Sequence, residues 1–348
     1  MFIVEPAQAN DIDDLMALAI EMAPGITTFP PNKTVLTNKI SKSCDAFDLS
    51  ISDSTTPRDF LLVLRDLSNN KVIGTAGVFS HIGAELPFYS YKRTTSDIST
   101  QIDTPETKEL ITTSIQTLNL SHDMEGGTEV GTLLLLPSYN GLGLGKLLAK
   151  ARYLLIRTCK RLFSEPIFAE LRGKTEPNDI SPFWQAVGRK FMNDMEFSKA
   201  DYLSAVTDKQ FIDDLFPKHA IYEALLPDDA RQCIGKANSK GQGALKMLFD
   251  EGFKDEGYVD IFDAGITVTA RMNDLHTITH TKSMTVVITE QVTRKEYSLL
   301  IATESLSGFR VIQSDIFNII NETIEITQTL CDKLLIQEGD SVSVYSLT

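Results

Sequence analysis

The segment from residue 129 to residue 148 constrains this chain more than any other. Residues 129–136 are strongly apolar and end in four consecutive leucines, which predicts a strand buried on both faces. Pro137 ends the strand, and a loop with glycine at positions 141, 143 and 145 then opens a helix that runs to about Phe163. Because glycines admit close backbone approach and free N–H groups at a helix N-terminus bind phosphate, the segment predicts a phosphate-binding loop.

Two familiar nucleotide-binding fingerprints fit this loop poorly. A dinucleotide-binding loop follows the first strand, with an acidic residue about 20 residues on, at the end of the next strand. Here the loop lies in mid-chain, and Glu165 precedes the next strand. A P-loop requires Ser or Thr after Gly-Lys, but Leu147 follows Lys146, and Asn140 stands in place of the first glycine. A glycine-rich turn without a ligand also remains open.

The loop is similar to the acyl-CoA loop of the GNAT superfamily, Arg/Gln-x-x-Gly-x-Gly/Ala. It reads Asn140-x-x-Gly143-x-Gly145, after a typical Leu-x-Leu-x-Pro-x-Tyr sequence. The resemblance implies that the loop holds the CoA pyrophosphate and that the strand before it is splayed from its neighbour, so that its backbone pairs with pantetheine. The residues implied in CoA binding are Leu133, Leu135, Asn140, Gly141, Gly143, Gly145 and Lys146.

The order of predicted elements supports the same resemblance across about residues 1–205. It predicts an α+β fold: a GNAT-type mixed, mostly antiparallel sheet flanked by helices, followed by a small C-terminal β-rich domain. We expect an acyltransferase region over 1–270, made of a core over 1–205 and a helical extension over 206–256, and a β-rich domain over 271–348.

Three segments have weaker local signals. Residues 81–127 are polar and mixed, and we interpret them as an insertion with short elements. Asp201–Val206 is predicted as a strand, and Gln313–Ile320 as a helix.

Composition excludes several classes of protein. The chain has 47 acidic and 33 basic residues and a net charge of −14, which argues against nucleic-acid binding. Its four cysteines lie far apart without a CxxC pair, and no HExxH occurs, so neither a disulfide scaffold nor a metal site is predicted. The N-terminus lacks the pattern of a signal peptide, and no apolar run could span a membrane. We therefore expect a cytoplasmic protein without membrane partners.

Several long strings resemble the arginine N-succinyltransferase family more closely. They are Pro87–Arg93, Glu170–Gly173, Ser181–Gln185, Pro217–Tyr222 and Tyr258–Gly265. The resemblance implies transfer of succinyl from succinyl-CoA to the α-amine of L-arginine in arginine catabolism, with succinyl-CoA as co-substrate and no permanently bound cofactor. Some relatives accept ornithine or pair as paralogous subunits, so we expect a homo-oligomer or a paralogous hetero-oligomer.

One position departs from that family. Its proton-donor histidine follows an Ile-Gly-x-x segment, and here Asn238 occupies the corresponding place after Ile234-Gly235. Asparagine cannot shuttle protons near neutral pH. The alternatives are a shifted alignment, another proton donor, a different acyl-CoA or amine such as ornithine, or a CoA-binding subunit without catalytic activity.

Acylation requires a deprotonated amine, so a base is needed. Glu129 resembles the general base of GNAT histone acetyltransferases, and burial would raise its pKa. His219 is the alternative base, although a strand-end glutamate and a capping or core histidine are simpler interpretations. The backbone N–H of Leu133 or Leu135 is the expected oxyanion donor.

The substrate carries charges that need partners. Asp260 and Asp263 are candidates for the guanidinium, and Arg172 is a candidate for a substrate carboxylate. If residues 258–263 continued as one strand, Asp260 and Asp263 would not both point inward.

Overall fold

The structure is a computed structural model, and it describes residues 1–22, 29–48, 55–105, 107–176, 180–206 and 210–347. Its helices are α1 (Ile12–Met22), α2 (Lys33–Ala46), α3 (Leu144–Thr158), α4 (Pro182–Ala186), α5 (Gly188–Phe191), α6 (Phe197–Val206), α7 (Gln210–Leu215), α8 (Asp228–Cys233), α9 (Gln242–Glu251), α10 (His276–His280) and α11 (Gln328–Leu334).

The strands are β1 (Phe2–Pro6), β2 (Asp59–Asp66), β3 (Lys71–Phe79), β4 (Ser90–Asp103), β5 (Lys108–Ser121), β6 (Thr128–Leu135), β7 (Ile167–Glu170), β8 (Ile221–Tyr222), β9 (Lys254–Asp260), β10 (Ile266–Ala270), β11 (Lys282–Ile288), β12 (Thr293–Thr303), β13 (Val311–Ile320), β14 (Thr323–Ile326) and β15 (Ser341–Leu347).

The first part of the chain forms a mixed sheet in the order β1-β2-β3-β6-β7-β10-β9-β4-β5-β8. Neighbours are antiparallel except β6 and β7, which are parallel. Alternation along β2 shows how the faces are used: Leu61 and Val63 pack with α1 and α2, whereas Leu62 and Leu64 pack in the core that holds α3. The predicted sheet flanked by helices is present.

The C-terminal strands close into a small barrel in the order β12-β15-β11-β14-β13, with β13 pairing back to β12. The barrel is joined to the rest of the sheet because β13 also pairs with β1, and Ile3 lies opposite Ile312. Ile3 packs in the same apolar cluster as Phe317 and Ile324. A β-rich C-terminal region is therefore present, while the division at residue 270 stays a prediction.

Helix α3 is fastened to the barrel by polar contacts around Glu304. This carboxylate accepts hydrogen bonds from Ser283, Ser341 and Ser343 at 2.5–2.9 Å and pairs with Arg157 of α3 at 3.4 Å. Burial acts to raise the pKa of Glu304, but the serine hydroxyls and Arg157 outweigh it and hold the pKa below its ordinary value.

The prediction of short elements within residues 81–127 was wrong. β4 and β5 are 14 residues each and pair without interruption from Ser90 opposite Ser121 to Asp103 opposite Lys108. Their Ser, Thr and Asp content hid the strands, since only part of this hairpin lies against the protein and apolar alternation is weak.

Two further predictions were wrong. Asp201–Val206 is the end of α6, in which Phe197 and Ala200 are buried at helical spacing. Gln313–Ile320 lies in β13, where pairing with β12 and β14 decides the structure of a short apolar run. Of the predicted helical extension over 206–256, residues 207–209 lie outside the described ranges, and the remainder contains α7, α8 and α9 together with β8 and the start of β9.

Candidate functional site

A β-bulge interrupts β6 near its middle. Gly131 lies opposite Gly77 and Leu134 lies opposite Thr75, so Thr132 and Leu133 together oppose a single residue of β3. Thr132 has a φ of 51°, and its carbonyl accepts the hydroxyl hydrogen of Thr75 at 3.0 Å. The bulge reverses the alternation of the strand: Val130 packs on the α3 side before it, and Leu133 and Leu135 pack there after it.

The strand is also splayed from its other neighbour. β6 pairs with β7 only at Thr128 opposite Ile167 and Glu129 opposite Phe168. Farther along β6, the described ranges provide no strand on that side. The N–H of Leu136 donates to Ile73 of β3 at 2.9 Å. Because backbone groups alternate in direction, those of Leu133 and Leu135 face the gap between β6 and β7.

The glycine loop after β6 presents an open helix N-terminus. Pro137–Tyr139 form one 3₁₀ turn, and Gly141 and Gly143 then have φ values of 84° and 76°, which glycine adopts readily. Gly143 is the N-cap of α3 and supplies no capping side chain. A Cβ at positions 141, 143 or 145 would meet no atom within 4 Å. The first N–H groups of α3 are therefore accessible to an anion.

The other predicted CoA-binding residues flank this opening. Asn140 and Lys146 are exposed, and Lys146 is close enough to Asp250 of α9 to lower the pKa of that carboxylate, after the larger effect of its hydrogen bond with Lys246. The structure thus brings together the gap beside Leu133 and Leu135, the loop and Lys146.

Glu129 lies one strand position before the splay begins. It is half-buried and sits between Phe79 of β3 and Phe168 of β7. One carboxylate oxygen is 3.2 Å from the place where a Cβ on Gly131 would be, so the absent side chain leaves room for this carboxylate. Glu129 projects from the face opposite to Leu133, because the bulge lies between them.

Arg172 and Asp201 form an ion pair with two contacts just beyond β7. The two terminal nitrogens of Arg172 donate to the two oxygens of Asp201 at 2.6 and 2.5 Å. The guanidinium stacks 4.6 Å from the ring centre of Phe197, and its Nε is 3.4 Å from Asp263. Burial acts to lower the pKa of Arg172, but the hydrogen bonds and charge of Asp201 outweigh it, so the net pKa is raised.

Asp263 is 1% exposed and serves the backbone. Its oxygens accept the N–H groups of Gly173 and Gly265 at 2.8 Å each. Burial raises the pKa of Asp263, and Asp260 adds to that effect, while Arg172 and the two N–H groups oppose it. The charges of Arg172 and Asp263 are thus engaged inside the protein, and their predicted contact with substrate stays a prediction.

Asp260 is the last residue of β9, so residues 258–263 are not one strand. One Asp260 oxygen accepts the N–H groups of Phe262 and Asp263 at 2.7 and 2.8 Å. Asp260 is half-buried and more accessible than Asp263. Of the two residues predicted to bind a guanidinium, Asp260 is better placed to reach a ligand, because it is the more exposed.

The two remaining predicted catalytic residues lie in different surroundings. The N–H of Asn238 donates to the carbonyl of Arg172 at 2.8 Å, and its side-chain oxygen accepts the N–H of Gly241 at 2.7 Å. Asn238 therefore adjoins Arg172, Asp201 and Asp263, which we call the Arg172 cluster. His219 is exposed between α7 and β8, and among the described contacts none joins it to Glu129 or to the glycine loop.

Sequence analysis missed Asp201 and the bulge at Thr132. Asp201 lies four residues after Phe197, so on a helix both side chains share one face, and both contact Arg172. This spacing was the sequence signal that could have indicated a helix at Asp201. A positive φ at a threonine has no sequence signal, because β-branched residues rarely adopt it.

A cleft of about 480 Å³ lies elsewhere, at the root of the β4–β5 hairpin. Its lining includes Arg93, Glu223, Asp228, Arg231 and Lys236, and no residue of β6 or of the glycine loop. Arg93 is paired with Glu223, and Arg231 with Asp228. The described residues include no group of three or more His, Cys, Asp or Glu side chains placed to hold a metal ion, and no helix among them could cross a membrane.

Comparisons with known proteins agree with these features. A family model described as arginine N-succinyltransferase beta subunit matches residues 2–277. An arginine N-succinyltransferase from Photorhabdus laumondii is 32% identical over 351 residues, which cover 100% of this chain and 98% of that protein. An arginine N-succinyltransferase subunit beta from Pseudomonas aeruginosa is 35% identical over 287 residues, covering 82% of this chain and 81% of that protein.

A solved structure is similar along nearly the whole chain. The arginine/ornithine succinyltransferase subunit AI from Pseudomonas aeruginosa matches with a TM-score of 0.85 at 26% identity, over 99% of this chain and 98% of that one. The predicted GNAT-type fold is thereby confirmed.

Proposed function

The chain belongs to the arginine N-succinyltransferase family, and we propose that it transfers the succinyl group of succinyl-CoA to the α-amine of L-arginine. The observation that carries the proposal is the splayed β6 leading into an uncapped helix N-terminus, in a chain that matches this family along its length. Family membership makes the enzyme an acyl-CoA-dependent N-acyltransferase. The succinyl group and arginine are the finer proposal.

The loop would hold the CoA pyrophosphate. The accessible N–H groups at the start of α3, with the positive end of the helix dipole, are suited to an anion. Gly141, Gly143 and Gly145 leave space for it, and Asn140 and Lys146 add a polar group and a charge at the rim.

The pantetheine arm would lie in the gap between β6 and β7. Its amides can pair with the backbone groups of Leu133 and Leu135, as an added strand would. This places the thioester near the part of β6 where the splay begins. A backbone N–H of Leu133 or Leu135 would then stabilise the oxyanion.

The reaction needs one proton acceptor and one proton donor. The neutral α-amine attacks the thioester carbon, the amide C–N bond forms, the C–S bond breaks, and CoA leaves as a thiolate, which takes up one proton while the attacking nitrogen gives one up. Glu129 would take the amine proton, because it is half-buried and adjoins the splay. His219 is the weaker candidate, since it is exposed and away from these residues.

The Arg172 cluster would support the substrate pocket. Asp260 is the proposed partner of a guanidinium or amine. Asp263 holds the backbone beside it through the N–H groups of Gly173 and Gly265, and Arg172 pairs with Asp201 and lies against Asp263. Asn238 is attached to the same cluster. Because asparagine cannot shuttle protons near neutral pH, another group would have to donate a proton there.

Asn238 keeps a second candidate function open. An enzyme that uses ornithine or another acyl-CoA, or a CoA-binding subunit without activity, would also show the loop and the splay. Release of free thiol separates these: we expect release from succinyl-CoA with arginine, and slower release with acetyl-CoA or with ornithine. Release with acetyl-CoA alone would overturn the succinyl proposal, and tight CoA binding without any release would favour the inactive subunit.

Two further features belong to the proposal. Relatives are named as subunits, which supports a multi-subunit enzyme, formed here by copies of the chain or with a paralogous subunit. Cys44, Cys159, Cys233 and Cys331 are all free thiols, which supports a reducing, cytoplasmic location.

A further inference from the structure

The distal part of the β4–β5 hairpin extends away from its own sheet. β4 pairs with β9 only through residues 90–92, and β5 pairs with β8 only through Thr117 and Leu118. Beyond these points both outer edges lack a strand partner in the described ranges, and most side chains are exposed. We call residues 94–103 and 108–116 the arm. An isolated two-stranded ribbon is marginally stable in water, so we expect the arm to be stabilised by packing against another surface.

The two faces of the arm differ in chemistry. The register places Ser96 opposite Ile115, Ile98 opposite Thr113, and Thr100 opposite Ile111, and residues opposite one another share a face. One face, the isoleucine face, therefore carries Ile98, Ile102, Ile111 and Ile115 among serine and threonine. Ile98 is 55% exposed and Ile102 is 45% exposed. The other face is polar, with Leu110 as its large apolar residue.

Charges on the isoleucine face lie at its two ends. Glu109 lies opposite Ile102 near the tip, and Lys92 lies opposite Asn119 at the root. Lys92 rests over the ring of Tyr258 and donates to the carbonyl of Glu256. A two-fold axis between the Ser96 and Ile98 pairs would bring Glu109 of one copy to Lys92 of the other, with isoleucines of both copies at the centre. The face is thus complementary to itself.

We propose that the isoleucine face is the interface between two copies of this chain, with the arms packed face to face and antiparallel about that axis. Ten residues of strand span about 33 Å, and a two-stranded face is roughly 10 Å wide, so each arm covers about 330 Å². A standard interface takes about 800 Å² from each partner. The arms therefore form the apolar centre, and surfaces at the hairpin roots complete the interface. This rests on the proposed assembly and not on the proposed acyl transfer.

Sedimentation of the full-length chain across a dilution series tests the proposal. We expect the wild type to be a dimer of 38.6 kDa chains. Ile98→Asp should raise the dimer Kd by about 100-fold or more, because a two-fold interface contains the change twice. Leu110→Asp is the matched control: it is 69% exposed on the same arm, but on the polar face, and should dimerise as the wild type does. Circular dichroism melts check that both variants are folded.

Charge reversal gives a second readout. Glu109→Lys should weaken the dimer, and combining it with Lys92→Glu should restore it, which a purely structural role of either residue would not produce. A wild type that stays monomeric, or that associates only with a paralogous chain, overturns pairing of identical copies. A dimer that survives Ile98→Asp, or that is lost equally with Leu110→Asp, overturns the surface. Thiol release is measured separately, so failure of the catalytic proposal would be distinguishable.

Discussion

Replacement of Gly143 by valine tests the loop most directly. Gly143 is the N-cap of α3, has a φ of 76° and is exposed. A Cβ there would meet no protein atom within 4 Å, so the expected effect on folding comes mainly from backbone strain. A β-branched residue held in this region costs on the order of 1–3 kcal/mol, and the free energy of unfolding should fall by that amount.

The effect on CoA binding should be larger than the strain explains. Valine would occupy the space beside the first N–H groups of α3 and shift their direction. Loss of one or two charge-assisted hydrogen bonds to phosphate amounts to about 2–4 kcal/mol, which raises the Kd for CoA roughly 30- to 700-fold. Isothermal titration with CoA measures the Kd, and urea unfolding measures the stability.

Gly339→Val is the matched control. Gly339 has a φ of 89°, a Cβ there would also meet no atom within 4 Å, and it precedes β15 in the barrel. It should lose similar stability and keep the CoA affinity of the wild type. A Gly143→Val protein that binds CoA within about threefold of the wild type would refute the loop assignment, and equal loss of affinity in both variants would show general destabilisation instead.

Four other changes follow from the same geometry. Glu129→Gln should lower kcat by about 10²- to 10⁴-fold with CoA affinity unchanged, and a full-rate variant would remove Glu129 as the base. Gly145→Ala should raise the free energy of unfolding by about 0.5–1 kcal/mol, measured in urea, because no protein atom crowds the new methyl group. Asp201→Asn should lower stability by about 1–3 kcal/mol, since it removes the two-contact partner of Arg172 and leaves the 3.4 Å contact with Asp263; a loss under 1 kcal/mol would contradict the pairing. The folded state lowers the pKa of Glu304, so the contribution of this carboxylate to stability is present above its ordinary pKa and is lost as the pH falls through the folded value. Glu304→Gln should therefore lose less urea resistance than the wild type between neutral pH and a pH below that folded value.

The part of the site that could be predicted from sequence is the part with local causes. Four leucines, a proline and spaced glycines each act within a few residues, and β6, the loop and α3 lie where these residues placed them. The positions of Glu129 and Asn140 could be predicted as well, because each lies at a fixed distance along the sequence from the leucines and glycines.

The remainder depends on contacts between distant residues. Asp201 meets Arg172 across 29 positions, and its own segment, read alone, fits a strand as well as a helix. The β4–β5 hairpin lacks apolar alternation over its exposed length, so its strands are revealed only by pairing. The bulge depends on the offset between β3 and β6, which no local pattern encodes.

Net charge and substrate charge set a final constraint on the site. The chain carries −14, and acyl-CoA is itself strongly anionic, so the overall field of the protein opposes binding. Near the start of α3 the balance is different, because Asp250 is paired with Lys246 and Lys146 is a second cation within reach of it. That local excess of one positive charge is small. If the loop holds the pyrophosphate as proposed, backbone N–H groups, whose partial charges do not depend on the net charge of the chain, would supply most of the attraction.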